Sequence, residues 1–280
     1  MRHAVLGAGG VGGLVGGALA RAGRDVVLLM RPETLERYGG RLSVESAVLG
    51  DFTVNVPAAA VLDCDVDVLW VTPKATQLDA ALELASPERV GTAVPLLNGV
   101  DHVERLRERY PNVVAAAIRV ESERVAPDRI RQASPFLIVD LAGAEPVGAE
   151  LEAAGITVRQ RDDERTLLWD KLAVLAPIAL ATTGLDSSYG GVRADERYLR
   201  CQDEAIAVAR ADGAAIDERA LRTMLTKVPD EMRSSMQKDV DARHPPELDA
   251  IAGPILRGGE RHGIPVPATH ELAGLVTART

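Results

Sequence analysis

Close behind the N-terminus, Val5-Leu6-Gly7-Ala8-Gly9-Gly10-Val11-Gly12-Gly13 sets Gly7, Gly9 and Gly12 at the spacing of a dinucleotide fingerprint. The apolar run Ala4 to Leu6 leads into the glycines. The Ala-, Leu- and Val-rich segment Val11 to Ala22 predicts a helix closed by Gly23, and Asp25 to Met30 predicts a second strand. Strand, turn, helix and strand in this order make a mononucleotide-binding unit, in which each glycine has a separate task. Gly7 permits the tight turn, Gly9 lets backbone amides approach a pyrophosphate, and Gly12 lets helix and strand pack closely. With Gly10 and Val11 they form the start of a helix, whose free N–H groups and dipole favour an anion.

The end of the second strand bears on the choice of cofactor. An Asp or Glu there meets a free ribose 2′-hydroxyl, whereas an arginine meets a 2′-phosphate. The strand closes as Leu28-Leu29-Met30-Arg31, with no carboxylate. Arg31 offers a planar, permanently charged fork suited to phosphate; its plain alternative is a solvated surface residue. NADP(H) is therefore expected over NAD(H).

A chain of 280 residues with a formal charge of −9 and 3% aromatic residues has neither the basic surface nor the stacking platforms of a nucleic-acid binder. No nucleic acid and no membrane is expected as a partner, and no apolar run is expected to be long enough to span a bilayer. Cys64 and Cys201 lie far apart, which predicts neither a disulfide framework nor a metal site. No targeting segment precedes the first strand, so the expected compartment is the cytoplasm. Only four of the 32 basic residues are lysines: Lys74, Lys171, Lys227 and Lys238. Arginine has taken the ordinary surface work in this chain. Lysine, unlike arginine, can be tuned to give up a proton.

Further along, Leu42 to Leu49 and Phe52 to Val56 alternate around Gly50-Asp51 and predict a hairpin. Strands are expected at Asp65 to Val71, Thr92 to Leu97, Val113 to Ile118, Arg129 to Gln132, Phe136 to Asp140 and Ile156 to Arg159, with helices at Gln77 to Leu84, Val103 to Arg109 and Val147 to Ala154. Together these predict a doubly wound sheet with extra strands at one edge. Beyond Asp162 the period is helical, at Arg165 to Ala181, Ala194 to Ala211, Glu218 to Lys227, Glu247 to His262 and Thr269 to Thr277. The expected architecture is an α/β Rossmann-type dinucleotide-binding domain over residues 1–162, followed by an all-α domain over 163–280 for substrate and dimerisation. A homodimer is an expected assembly, and a cleft between the domains is the expected seat of a substrate.

Set in order, several short stretches resemble the ketopantoate reductase family. They are the glycine loop with Arg31, Lys74-Ala75-Thr76-Gln77 after one strand, Asn98-Gly99 after the next, and Trp169-Asp170-Lys171-Leu172 opening the second domain. Ser234-Ser235-Met236-Gln237-Lys238-Asp239, Glu247-Leu248-Asp249, Gly253 and His262-Gly263-Ile264-Pro265-Val266-Pro267 follow. The resemblance implies hydride transfer from NADPH to the carbonyl of a small 2-oxo acid, ketopantoate being the family's own, in pantothenate and coenzyme A synthesis. Lys171 matches the lysine that polarises and protonates the developing alkoxide. Glu247 matches the acidic residue that contacts substrate or orients that lysine, and it is equally a first-turn glutamate suited to a helix dipole. Ser235 either binds the substrate carboxylate or caps a helix. Asn98 holds nicotinamide or substrate, or is a turn residue before Gly99. Lys74 and Gln77 would line the cleft beside the cofactor.

The chain also departs from the family. Where two asparagines follow the lysine, four and eight positions on, this chain has Leu175 and Ala179, and Ala252 replaces the asparagine before Gly253. Pro177 interrupts the same helix. Three readings stay open: a ketopantoate reductase whose asparagines are replaced functionally, a paralogous reductase for a less polar oxo acid or ketone, and a non-catalytic NADP(H)-binding regulator. Retention of Lys171 and Glu247 favours catalysis.

Overall fold

The computed structural model describes every residue from Met1 to Thr280. Contacts divide the chain into two compact units, Met1–Leu97 with His102–Glu164, and Asn98–Asp101 with Arg165–Thr280. The loop 98–101 thus belongs with the helical residues, which a single cut near residue 162 does not anticipate.

The first unit is built on a parallel sheet of β1 (Arg2–Leu6), β2 (Asp25–Leu29), β5 (Ala58–Ala59), β6 (Val66–Val71) and β7 (Val90–Pro95) in the order β5-β2-β1-β6-β7. Val5, Leu28, Leu69, Trp70 and Val94 are fully out of solvent, as strands covered on both faces require. Helix α1 (Gly10–Arg21) follows β1 and lies close on the sheet because its inner face is glycine. A Cβ at Gly16 would meet Leu28 Cδ2 of this sheet at 2.7 Å, and one at Gly13 would meet Ile130 Cδ1, which lies outside it, at 2.5 Å. Helices α2 (Pro32–Leu35), α3 (Leu78–Leu82), α4 (His102–Arg107) and α5 (Glu145–Ala153) complete the unit. The helix expected over Gln77 to Leu84 is a 3-10 turn, Ala75–Gln77, running into the short α3.

The extra strands do not extend the parallel sheet. β3 (Arg41–Ser46) and β4 (Phe52–Asn55) form the expected hairpin and join β9 (Ser122–Ala126) and β10 (Arg129–Gln132) in a sheet of order β4-β3-β10-β9. β8 (Ala116–Arg119), β11 (Ile138–Ala142) and β12 (Thr157–Arg161) form a third sheet of order β12-β11-β8. Both are mixed, with antiparallel and parallel pairs. Asp140 on β11 is 1% exposed and takes two bonds from Arg159 and one from Arg119, at 2.7, 2.7 and 3.2 Å. A carboxylate this deep is tolerable only when its charge is so matched.

The second unit contains α6 (Glu164–Gly184), α7 (Tyr189–Val192), α8 (Glu196–Ala211), α9 (Glu218–Leu225), α10 (Ser235–Asp241), α11 (Leu248–His262) and α12 (Pro267–Thr277). α8, α11 and α12 pack on one another. α6 runs on through Pro177, and its apolar residues, Trp169, Leu172, Ala176, Ala179 and Leu180 among them, enter the same core. α6 has 21 residues and a mean hydropathy of 1.3 over its most apolar window. By length and composition alone it could cross a membrane, so the expectation of no such run fails on that count. As 72% of that window is buried inside the protein, α6 has the placement of a core helix.

Candidate active site

In the first unit the glycine loop is held by backbone geometry that admits no side chain. Gly7 sits at φ +89°, and a Cβ there would lie 2.8 Å from Pro73 N. A Cβ at Gly12 would collide with the Thr72 hydroxyl and with Gly7 O, and one at Gly10 with the Ser122 carbonyl. Thr72 Oγ1 lies 2.9 Å from Leu6 O and 2.7 Å from Gly7 O, sharing its hydroxyl between them and fixing the turn. Gly9 is the exception: beyond Gly7 O at 4.0 Å, nothing stands near the place of its Cβ. Gly9 also occupies the N-cap of α1 without a capping side chain, which leaves the first-turn amides of Gly10, Val11 and Gly12 without intrahelical acceptors. This cradle, closed beneath and open above Gly9, fits the pyrophosphate of a dinucleotide.

Around the loop, Arg31 is exposed at the head of α2, immediately beyond β2. Lys74 is half-buried at the entrance to the 3-10 turn after β6, and Gln77, at the end of that turn, is exposed. β9 supplies two residues that the sequence pattern did not mark. Ser122 Oγ donates to Gly10 O at 2.9 Å, and Arg124 Nη1 donates to Ala8 O at 3.4 Å. The strand has no apolar stripe, since most of its side chains are exposed, and its partner here is the backbone of the loop. Periodicity could not reveal it.

In the second unit the residues of interest lie on α6, α10, α11 and the loop 98–101. Lys171 is half-buried. Residues four apart share a helix face, so Lys171, Leu175 and Ala179 form one row, which continues to Thr182. Leu175 is partly buried against the helical core, and Ala179 is 0% exposed within it. Thr182 Oγ1 lies 2.7 Å from Ile178 O and 2.9 Å from Ser234 Oγ, so its one hydroxyl proton is taken up between them. Beyond its lysine this row presents no free amide or hydroxyl.

Ser234 Oγ in turn accepts from Gln237 N at 3.1 Å and caps α10. The cap is therefore Ser234 rather than Ser235, which is the exposed first residue of the helix. Ser-x-x-Gln is a capping-box pattern, a signal for α10 that was available in the sequence.

Asn98 and Glu247 are brought together. Asn98 Nδ2 donates to Glu247 Oε2 at 3.1 Å across 149 residues of chain. Glu247 stands at the N-cap of α11 and makes no side-chain cap, so its carboxylate is turned to the amide while remaining at the positive end of the helix dipole. The loop is pressed onto α11: Gly99 has φ +92°, and a Cβ there would lie 2.5 Å from Ala250 O. Arg257 fastens the end of the loop, bonding Asp101 at 2.6 Å and Asp249 at 2.7 Å. It lies across Gly253, where a Cβ would meet its Nη2 at 2.5 Å. Ala252, in the place of the family's asparagine, is 1% exposed.

Comparison with known proteins matches both units. The family described as ketopantoate reductase PanE/ApbA matches residues 3–139, and its C-terminal counterpart matches residues 163–280. A 2-dehydropantoate 2-reductase of Mycobacterium tuberculosis is 34% identical over 225 residues, 76% of each chain. The solved 2-dehydropantoate 2-reductase of Geobacter metallireducens superposes with a TM-score of 0.90 at 26% identity over 100% of both chains. A D-mandelate dehydrogenase, solved with NADH and anilino(oxo)acetate, has a TM-score of 0.88 at 21% identity, covering 100% of this chain and 98% of its own; at that identity the likeness is one of fold.

Proposed function

Since the chain belongs to the ketopantoate reductase family, and is an oxidoreductase acting on an oxo acid, we propose that it uses NADPH to reduce a 2-oxo acid to the 2-hydroxy acid. Ketopantoate to pantoate, in the cytoplasmic synthesis of pantothenate and coenzyme A, is the first candidate. The observation that carries the reading is the Asn98–Glu247 hydrogen bond, which joins two residues of the family's pattern, far apart in sequence, in a unit that also holds Lys171. A bound nicotinamide supplies the hydride. The amides of Gly10, Val11 and Gly12 would hold its pyrophosphate, Gly9 would give it room to approach, and Gly7 shapes the turn below them. Lys74 and Gln77 would flank the cofactor, and Arg31 would take the 2′-phosphate.

The remaining chemistry is that of side chains. The Lys171 ammonium donates to the substrate carbonyl oxygen and stabilises charge that appears there only in the transition state, then gives up its proton so that the product leaves as an alcohol. Glu247 holds the lysine in register and keeps the Asn98 amide in place, leaving that amide's second N–H for substrate or nicotinamide. Ser235, at the exposed start of α10, offers a hydroxyl to the substrate carboxylate.

A second reading is favoured by Leu175 and Ala179. An apolar row beyond the lysine would suit an oxo acid with a hydrocarbon rather than a hydroxylated side chain. The D-mandelate dehydrogenase of the same fold was solved with anilino(oxo)acetate, which carries an aromatic ring. The deciding experiment is NADPH oxidation against a panel of 2-oxo acids that includes ketopantoate and aryl and branched-alkyl members. Turnover of ketopantoate above the others supports the first reading, and preference for an apolar member supports the second. Tight NADPH binding with no turnover of any member would make the chain a binder. For the cofactor, NADPH is expected to bind at least tenfold more tightly than NADH, about 1.4 kcal/mol. Equal dissociation constants would overturn that choice.

A further inference from the structure

Arginine is abundant in this acidic chain, and elsewhere it is matched to carboxylates: Arg159 and Arg119 with Asp140, Arg107 with Glu164, Arg222 with Asp203 and Glu218. Around the glycine loop the matching stops. Arg31, at the head of α2, Arg37, just beyond that helix, and Arg124, on β9, make no ion pair, and Arg31 and Arg37 are the charges that act on the Arg124 guanidinium. Arg31 and Arg37 flank α2, and Arg124 comes from a distant strand. β9 is anchored against the loop by Ser122 Oγ on Gly10 O at 2.9 Å, and strand alternation puts Arg124 on the same side as Ser122. Arg124 Nη1 reaches Ala8 O at 3.4 Å, between the first two glycines of the fingerprint. Partial burial, then the charges of Arg31 and Arg37, push the Arg124 pKa down. Three cations held together without a carboxylate repel one another, a cost that a bound anion removes.

We propose that Arg124 and Arg37 complete the anion site begun by Arg31, so that three guanidinium groups hold the phosphate monoester on the adenosine ribose of the cofactor. This inference rests on the NADPH reading above and adds to it a specificity residue, Arg124, supplied by a strand outside the nucleotide-binding sheet. A phosphate monoester presents three oxygens and close to two negative charges at neutral pH. Guanidinium forks from the β2 tip, from beyond α2 and from β9 match its three oxygens in number and oppose its charge. A free 2′-hydroxyl gives such a site nothing to bind, so the effect falls on the discrimination between cofactors rather than on dinucleotide binding in general.

The test is calorimetric titration of the full-length protein with NADPH, NADH, adenosine 2′-monophosphate and adenosine 5′-monophosphate. Arg124→Gln is expected to weaken NADPH and adenosine 2′-monophosphate at least tenfold while changing NADH and adenosine 5′-monophosphate less than twofold. Arg37→Gln is expected to act the same way with a smaller effect, and Arg124→Lys to retain part of the affinity because it keeps the charge without the fork. Equal loss of NADPH and NADH in Arg124→Gln would make Arg124 a support for the loop through Ala8 and overturn the proposal. An unchanged NADPH-to-NADH ratio in Arg124→Gln, beside a collapsed ratio in Arg31→Ala, would also overturn it and leave the NADPH reading standing. A parent protein that does not distinguish the two cofactors would remove both. Should Arg124→Gln not fold, the ratio measured on Arg124→Lys decides the matter, an unchanged value counting against the proposal.

Discussion

The glycine loop after β1 and the lysine-bearing row of α6 are candidate functional regions, one in each unit, and opposite constraints shape them. The loop is dictated by what its backbone cannot accept. A side chain at Gly7, Gly10 or Gly12 would strike other main-chain atoms, whatever the ligand. The α6 row is dictated by what its side chains offer, and here the offer is sparse: one half-buried lysine, a leucine packed on the core, a sealed alanine, and a threonine already bonded to Ser234. A cofactor site of the first kind is retained as long as the fold is. A substrate site of the second kind can be altered one side chain at a time wherever the side chain is not sealed in the core, and Leu175 and Ala179 stand where the family resemblance expects asparagine.

The sharpest way to separate the two regions is Lys171→Ala. Its interaction with the carbonyl oxygen is made chiefly in the transition state, so kcat with the best oxo acid is expected to fall on the order of 100-fold or more. The NADPH dissociation constant, which belongs to the loop, should stay within about twofold. Lys171→Arg should not restore turnover, because a guanidinium keeps the charge and cannot release a proton near neutral pH. Glu247→Gln in the Lys171→Ala background should add little if the carboxylate works through the lysine. Steady-state kinetics beside calorimetry reads all of this, and unchanged turnover in Lys171→Ala would end the comparison by removing chemistry from α6.

The loop has its own probe in a pair of alanines. Gly12→Ala thrusts a methyl against the Gly7 carbonyl, so the turn itself must shift. Losses of about 1–3 kcal/mol in stability and of on the order of tenfold in NADPH affinity, or about 1.4 kcal/mol, are expected together. Gly9→Ala meets no atom nearer than 4.0 Å and should leave the melting temperature unchanged. Its methyl nevertheless occupies the space above the loop where a pyrophosphate would approach, so NADPH affinity alone should fall, by about fivefold, or ~1 kcal/mol. An unaffected affinity in Gly9→Ala would mean that the open side of the loop is not where the cofactor lies.

This contrast also explains what was legible in the sequence. The nucleotide-binding unit could be read because each glycine answers a local steric demand and because β1, α1, β2 and β6 carry strong apolar periodicity. Arg31 could be read because its position is counted from the glycines. β9 could not, since an exposed edge strand whose Ser122 and Arg124 side chains meet a turn backbone leaves no apolar signature, and Arg124 was missed with it. The separate sheets of β3-β4-β9-β10 and β8-β11-β12 were invisible for a different reason: alternation predicts strands, and pairing depends on which edges meet in space. On the helical side, α6 announces only a core helix, and Lys171 emerges from it through the Trp169-Asp170-Lys171-Leu172 resemblance. The joining of Asn98 to Glu247 needs the fold, because no local pattern links a turn after β7 to the start of α11.

The smallest expected effect tests whether the dry row on α6 truly faces a substrate. Leu175 is only partly buried at the edge of the core, so Leu175→Asn should fold, with a loss of roughly 1 kcal/mol from the lost apolar contact. Its new amide would offer a donor and an acceptor one turn beyond Lys171. A hydrogen bond of ordinary strength, ~1 kcal/mol, would lower KM for a hydroxylated oxo acid such as ketopantoate about fivefold and leave an alkyl oxo acid unimproved or worse. Ala179→Asn is the control. That position is 0% exposed, and an amide forced into it has neither room nor a partner, so it should destabilise the helical unit by about 2 kcal/mol or more with no gain on any substrate. If Leu175→Asn leaves the whole panel of oxo acids unchanged, residue 175 does not touch the substrate, and the loss of the two asparagines has no bearing on specificity. If it improves ketopantoate selectively, a single leucine on an otherwise intact frame separates this chain's substrate preference from that of its family.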